Sequence, residues 1–301
     1  MVITGASGFV GRHLVAECAA AGDEVVKLSR SGGADLSEPG SARRAIAAAR
    51  PAVVYHLAAR AHVGESWNDP SGTLHDNVAM TLNVLEAVRA EAPDATVVAV
   101  ASGEVYGPPE RLPIDEAAPL RPQNPYAVSK AATDLLAGFF ADAHGMRVIR
   151  ARAFNHAGPG QEPGYAIASF ARQFAAATLA GDDPVRIVTG NPDTRRDYTD
   201  VRDVVRAYRL LASRAEPGVY NVCSGRTASA RELIAGLAEA AGVRLEHTVD
   251  PALVRAHEVP ELRGSCEALR ATTGWEPEIP LAQTLADTLE WWRDRLREQP
   301  G

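Results

Sequence analysis

Tyr126 and Lys130 stand four residues apart in Pro125-Tyr126-Ala127-Val128-Ser129-Lys130. The surrounding pattern predicts a helix over 125–144, and positions i and i+4 of a helix share one face, so phenol and ammonium meet. Ser102 lies 24 residues before Tyr126, at the end of a strand predicted over 96–101. The C-terminal ends of parallel strands are where α/β sheets place their chemistry. A free phenol titrates near pH ~10, too high for a base at neutrality, and a cation beside it favours the phenolate. Such a trio suits moving a proton on or off an oxygen whose carbon changes oxidation state. Of the 31 Lys and Arg residues only Lys27 and Lys130 are lysines, and arginine cannot tune a neighbour by titrating as lysine does.

Such a change needs a hydride carrier. The short apolar strand Val2-Ile3-Thr4 runs into Gly5-Ala6-Ser7-Gly8-Phe9-Val10-Gly11 and then a helix. Glycines at this GxxGxxG spacing permit a tight turn and let backbone N–H groups approach a pyrophosphate at a helix N-terminus. Gly5, Ser7, Gly8, Phe9, Val10 and Gly11 are thus candidate dinucleotide contacts. The second strand ends Leu28-Ser29-Arg30-Ser31, with no carboxylate for a ribose 2′-hydroxyl. Ser29 and Arg30 suit a 2′-phosphate, which favours NADP(H) over NAD(H), although Arg30 also reads as a solvated surface cation. Asp35-Leu36 follows as a candidate adenine contact, Asp35 reading equally as a loop acid. With a nicotinamide in place, Tyr126 becomes the acid/base, Lys130 its tuner and ribose ligand, and Ser102 a partner of the reacting oxygen. Lys130 and the oxidised ring are expected to pull the phenol down.

The elements that must position these groups alternate. Helices are predicted over 11–21, 41–50, 77–91 and 125–144, with strands over 24–29, 53–57, 96–101 and 147–154. This implies βαβ units and an α/β fold with a Rossmann-type parallel sheet. Beyond about residue 155 Gly-Pro loops interrupt the pattern. Helices over 167–180, 201–212, 230–241 and 281–297 then surround short strands over 185–188 and 219–222, a smaller mixed α/β substrate domain. We divide the chain into a cofactor domain of 1–155 plus about 198–225, and a substrate domain of about 156–197 and 226–301. A first strand so close to the start is expected to lack a few residues.

Composition excludes other classes. A net charge of -7 argues against a nucleic-acid binder. The apolar runs are too short to span a membrane, and no basic-then-apolar leader precedes the first strand, so a cytoplasmic protein is expected. Cys18, Cys223 and Cys266 form no CxxC pair and read as free thiols, and no metal site is expected.

With these motifs the chain resembles an extended short-chain dehydrogenase of the NAD(P)-dependent sugar epimerase/dehydratase group, most similar to the branch containing GDP-mannose 4,6-dehydratase and GDP-6-deoxy-4-keto-mannose reductase. Supporting segments include His56-Leu57-Ala58-Ala59, Ser102-Gly103-Glu104-Val105-Tyr106-Gly107, Phe154-Asn155-His156-Ala157-Gly158-Pro159-Gly160-Gln161, and the run from Arg195 to Asp203. The resemblance implies that Leu57, Ala58 and Ala59 line the cofactor site. It implies that Asn155 meets a substrate diphosphate, that Arg196 clamps the nucleotide or phosphate side with Arg263 as a second diphosphate cation, although either arginine also reads as a surface ion pair, and that the substrate is a nucleotide-diphosphate sugar, GDP-linked by resemblance alone. It also implies a homodimer through four helices, those after Asn77 and Pro125, with Leu135, Leu136, Phe139 and Phe140 apolar. His156 reads as a hydrogen-bonded structural histidine and Trp67 as packing rather than a sugar platform.

Dehydratases of this group place a proton donor and a glutamate directly after the Ser/Thr position. Here those positions are Gly103 and Glu104, and glycine has no proton to give. A 4-keto reductase forming GDP-rhamnose or its C4 epimer is therefore favoured. Glu104, as a surviving base or a sugar contact, keeps a 4,6-dehydratase open. A 4-epimerase and a dinucleotide-sensing regulator are the remaining alternatives.

Overall fold

The structure, a computed structural model, describes residues 1–254 and 259–298. In chain order the first half runs β1 (Val2–Thr4), α1 (Phe9–Ala20), β2 (Val26–Leu28), α2 (Pro39–Ala49), β3 (Val53–His56), α3 (Val63–Asn68), α4 (Pro70–Glu91), β4 (Thr96–Ser102), α5 (Pro125–His144) and β5 (Val148–Ala153). The second half runs β6 (Asn155–Ala157), α6 (Ala166–Ala180), β7 (Val185–Thr189), β8 (Arg195–Asp200), α7 (Val201–Arg214), β9 (Gly218–Val222), β10 (Thr227–Ser229), α8 (Ala230–Ala241), β11 (Leu245–Val249), β12 (Glu261–Leu262), α9 (Glu267–Thr273) and α10 (Leu281–Glu298).

Six strands form one parallel sheet in the order β2-β1-β3-β4-β5-β9. Its middle is apolar because helices cover both faces: Val97 and Val98 on β4 are fully buried. One face packs α2, α4 and α5 around Ile46, Val84 and Phe140. The other packs α1 and α7 around Leu14, Val204 and Leu211. The chain leaves β1 toward β2 and returns toward β3, so a crevice opens at the strand ends beside β1, the position where such sheets take ligands.

A smaller body carries its own core of Phe174, Ile187, Leu237 and Trp292. Its mixed sheet centres on β8, which pairs with β6 and β12 in parallel and with β10 antiparallel, while β7 and β11 form a separate parallel pair. The parallel Rossmann-type sheet and a second, smaller sheet are thus both present. Strand β8 lies in the smaller sheet through Asp200, and α7 from Val201 packs on the large sheet.

Caps set the helix ends. The helix expected from Asn77 begins at Pro70 instead, because the Asp69 carboxylate accepts the Gly72 N–H at 2.9 Å and Pro70 fits the first helical turn. Helix α5 starts on Asn124, whose side chain accepts the Ala127 N–H at 2.8 Å, and stops at Gly145 with φ +65°. Helix α7 starts on Asp200 and buries Val201, Val204, Val205, Tyr208 and Leu211, one face of its turns.

Trp67, expected to serve packing, is not packed. It is 62% exposed, because α3 is a short surface turn that buries only Ser66.

Candidate active site

A cavity of about 490 Å³ opens along the ends of β1, β3, β4 and β5. Its wall brings together Gly5, Ser7, Gly8, Phe9, Val10, Gly11, Ser29, Arg30, Asp35, Leu36, Leu57, Ala58, Ala59, Ser102, Glu104, Tyr126, Lys130 and Asn155. Arg196 and Arg263 do not line it. They sit on β8 and just past β12, neighbouring strands of the small sheet. The Arg196 guanidinium donates to the Arg195 and Val259 carbonyls at 2.9 Å each, and Arg263 lies 3.2 Å from Glu261.

The Gly-rich turn has the shape a pyrophosphate needs. Gly5 has φ +66°, and a Cβ there would stand 2.9 Å from the Ala58 nitrogen just past β3; one on Gly11 would stand 2.8 Å from the Ala6 Cα. Helix α1 starts at Gly8 with no side-chain cap and no acid in its first turn, leaving its N–H groups to an anion. At the other end Ser29, Arg30 and Ser31 form a tight turn. Ser31 reaches Ser29 at 3.2 Å and Ser7 at 3.5 Å, so three hydroxyls gather beside Arg30 with no carboxylate among them. The Asp35 carboxylate accepts from the Ser37 N–H and hydroxyl, which hold it below its usual range, and Asn83 of α4 pins this loop through the Leu36 and Ser37 carbonyls. These residues fit an NADP-type dinucleotide.

At the reacting end the Tyr126 phenol and the Ser102 hydroxyl face the same cavity, and the serine opposes the upward pull of burial on the phenol. Burial pushes the Tyr126 phenol up, against the expected lowering by Lys130. The reason is local: the Lys130 ammonium donates to the Val100 carbonyl, and its own burial pulls it down to about 8. A phenol that keeps its proton is an acid. The Glu104 carboxylate accepts from the Asn124 amide at 3.2 Å. Gly103 has no room for a side chain: a Cβ there would stand 2.9 Å from the Phe154 ring. The other edge of that ring meets Gly264, where a Cβ would stand 2.8 Å away.

Several contributors escaped the sequence reading. Asn77 on α4 donates to the Ser129 hydroxyl at 2.8 Å, which in turn donates to the Tyr126 carbonyl, tying α4 to α5. Gln161, Tyr165 and Tyr208 also line the cavity. Gln161 is 3% exposed; its amide nitrogen donates to the His156 carbonyl, and its oxygen has no partner. Arg12 of α1 bridges the Ser7 and Gly160 carbonyls, and His13 donates to the Pro159 carbonyl, so the Gly-Pro-Gly loop docks on the dinucleotide turn. Arg12, His13 and Gln161 belong to runs that the motifs explained only through their glycines. His156 donates to the Phe154 carbonyl at 2.9 Å and stacks on Phe9. All three cysteines are free and buried. Among the described residues no cluster of three potential metal ligands occurs, and no helix is long and apolar enough to cross a membrane.

A parallel sheet with a Gly-rich first turn, and Ser, Tyr and Lys around one cavity at its strand ends, define an extended short-chain dehydrogenase. The family model for GDP-mannose 4,6-dehydratase matches residues 31–288, and the chain belongs to that family. It is 44% identical to GDP-6-deoxy-D-mannose reductase of Pseudomonas aeruginosa, over 99% of each chain, and 30% identical to UDP-glucose 4-epimerase of Mycolicibacterium smegmatis, over 98% of each. Among solved structures it is similar to RMD from Pseudomonas aeruginosa complexed with NADPH, with TM-score 0.90, 42% identity and coverage of 98% of this chain and 99% of that one. UDP-glucose 4-epimerase of Thermus thermophilus in complex with NAD gives TM-score 0.86 at 31% identity, covering 97% of this chain and 98% of that one.

Proposed function

We propose that this protein is an NADP(H)-dependent nucleotide-sugar oxidoreductase that reduces the 4-keto group of GDP-4-keto-6-deoxymannose to GDP-rhamnose. The observation that carries this reading over a 4,6-dehydratase is the Phe154 ring against Gly103, which closes the position where an elimination would need a proton donor. The similarity to a GDP-6-deoxy-D-mannose reductase, and to a reductase complexed with NADPH, supports both substrate and cofactor.

In this reading Gly5, Ser7, Gly8, Phe9, Val10 and Gly11 hold the pyrophosphate, Ser29 and Arg30 the 2′-phosphate, and Asp35 and Leu36 the adenine side. Leu57, Ala58 and Ala59 form the wall between. The dinucleotide, when bound, supplies the hydride. Ser102 donates to the keto oxygen and orients it, and Tyr126 delivers its proton to that oxygen. Lys130 holds the nicotinamide ribose and supplies positive charge beside the phenol. Glu104 accepts from sugar hydroxyls, with Asn124 fixing its carboxylate. Asn155 meets the diphosphate. Arg196 and Arg263 approach it from the small sheet, Arg196 by exchanging its carbonyl partners for phosphate oxygens. The domain division places the dinucleotide on 1–155 with about 198–225, and the sugar on the remainder. The free, buried thiols suit a reducing cytoplasm.

A homodimer through α4 and α5 completes the proposal. These helices pack together and leave Leu74, Val128, Leu135 and Phe139 exposed along their outer face, whereas Phe140 turns inward to the core.

One observation keeps a second reading alive: Glu104 lines the cavity in the position of a dehydratase base. Absorbance at 340 nm separates the two. Loss of NADPH with GDP-4-keto-6-deoxymannose, and no reaction of GDP-mannose with catalytic NADP⁺, is the expected outcome. Keto-sugar formation from GDP-mannose would move the assignment to dehydratase.

A further inference from the structure

Lys130 and Asp134 lie one turn apart on α5, at the i and i+4 spacing at which ammonium and carboxylate ordinarily pair. Both are buried. They do not form an ion pair. Asp134 is instead held by a fork from β5: Arg152 Nε donates to Oδ1 at 3.1 Å and Nη2 to Oδ2 at 2.7 Å. Arg152 is itself 5% exposed and fixed from behind. Its Nη1 donates to the Tyr106 hydroxyl at 3.0 Å and to the Glu116 carbonyl at 3.3 Å, and Tyr106 in turn donates to Asn221. Arg150 also reaches Asp134, but only Oδ2, at 3.5 Å.

We propose that Arg152 is a positioning residue for Lys130: by occupying both oxygens of Asp134 it keeps that carboxylate from capturing the ammonium, which stays turned toward Val100 and the Tyr126 end of the cavity. A buried carboxylate left without a partner is costly and takes the nearest cation. Without the fork Arg150 still reaches only Oδ2, at 3.5 Å, which leaves Oδ1 open to the cation one turn away on the same helix, Lys130. The charged and titratable groups that bear on Lys130 are few: Asp134 on its own helix, held in turn by Arg152 and Arg150 of β5, and His56 on β3, whose pKa burial and then the Lys130 charge drive down to about 3. His56 therefore adds no charge near neutrality, and the balance rests on Asp134 and its arginines. Burial lowers the Lys130 pKa, and Asp134 opposes that less strongly.

The inference rests on the reading of Lys130 as partner to Tyr126 and the ribose, but its test does not need catalysis. With two lysines in the chain, protein labelled with carbon-13 at lysine Cε gives one signal from exposed Lys27 and one from buried Lys130. Titration of the two signals in wild type, Arg152→Met and Asp134→Asn/Arg152→Met is the experiment. In Arg152→Met the Lys130 midpoint should rise by more than about one pH unit, as an ion pair formed in a buried site requires. The double variant, with no carboxylate, should return it to the wild-type value. An unchanged midpoint in Arg152→Met overturns the inference, as does a rise that persists in the double variant. Should Arg152→Met not fold, Arg152→Gln keeps a donor for one oxygen of Asp134 and adds no third lysine signal. A smaller upward shift is then expected, and none overturns the inference. A wild-type enzyme inert toward every sugar nucleotide would remove the reductase reading and leave the titration result standing.

Discussion

On the proposed reading, Arg30 carries the cofactor choice on a single exposed side chain beside the Ser29 turn. A charge-assisted hydrogen bond is worth about 1.5–3 kcal/mol, so Arg30→Ala should raise the KM for NADPH about tenfold or more and leave the KM for NADH unchanged in steady-state assays. Equal loss for both cofactors would mean that Arg30 only shapes the turn. His56 sets a pH dependence. Thr4 accepts the Leu57 and Ala58 N–H groups, so its own proton goes to His56 Nδ1 at 2.9 Å; Nε2–H then donates to Thr81, whose proton is spent on the Asn77 carbonyl. The ring is fixed neutral, with its pKa depressed from about 6.5 to about 3 by burial first. A depressed pKa means that the unfolded chain takes the proton first as pH falls. The contribution is therefore full above about 6.5 and is lost progressively toward 3. His13 and His156 are shifted in the same direction by burial. Melting temperature should fall from pH 7 to 5, and in His56→Gln it should start lower but fall less steeply. An equal slope would show that the other groups account for the decline.

Asn124 does two jobs at one helix end: its oxygen caps α5 and its nitrogen holds Glu104. Asn124→Ala should lose the cap, about 1 kcal/mol, seen as a lower melting temperature. Asn124→Ser retains a capping oxygen but cannot span to Glu104, so its stability should stay near wild type while the KM for the keto sugar rises several-fold. An unchanged KM in the serine variant would detach Asn124 from the substrate. At this scale the parallel-sheet half was legible, because alternating apolar strands and capped helices leave strong local signals, as in β4 and α5. Strand β8 was not: Arg195-Arg196-Asp197-Tyr198-Thr199-Asp200 carries charge at most positions. It is a strand because its neighbours supply donors. Asp197 is buried and accepts from Ser224, Gly225 and Gly264, and burial raises its pKa to about 6. Such tertiary compensation has no periodicity. The early start of α4, the exposure of Trp67 and the upward shift of Tyr126 share this character, since each depends on what lies across the fold. The Ser, Tyr and Lys trio and the glycine turn were legible because chemistry fixes their spacing within short segments.

The outer face of α4 and α5 concerns the whole molecule. Leu135 is 62% exposed and Phe139 56%, side by side on one helix face, while Phe140 is buried. Leu135→Glu/Phe139→Glu should reduce the light-scattering mass from about twice 31.9 kDa to that of one chain. A wild-type mass already at one chain would remove the dimer. The lodging of Phe154 between Gly103 and Gly264 has a different consequence. The three positions come from distant parts of the sequence, yet none is free to change alone. A hydroxyl or carboxyl introduced at 103 collides with the ring, and a smaller residue at 154 leaves a void between two glycines that cannot fill it. A lineage moving from reduction toward elimination must therefore cross a fitness valley, or change 154 and 103 together. Substitutions that are harmless in a dehydratase relative should be deleterious here, and these sites should show strong epistasis when swapped between the two kinds of enzyme.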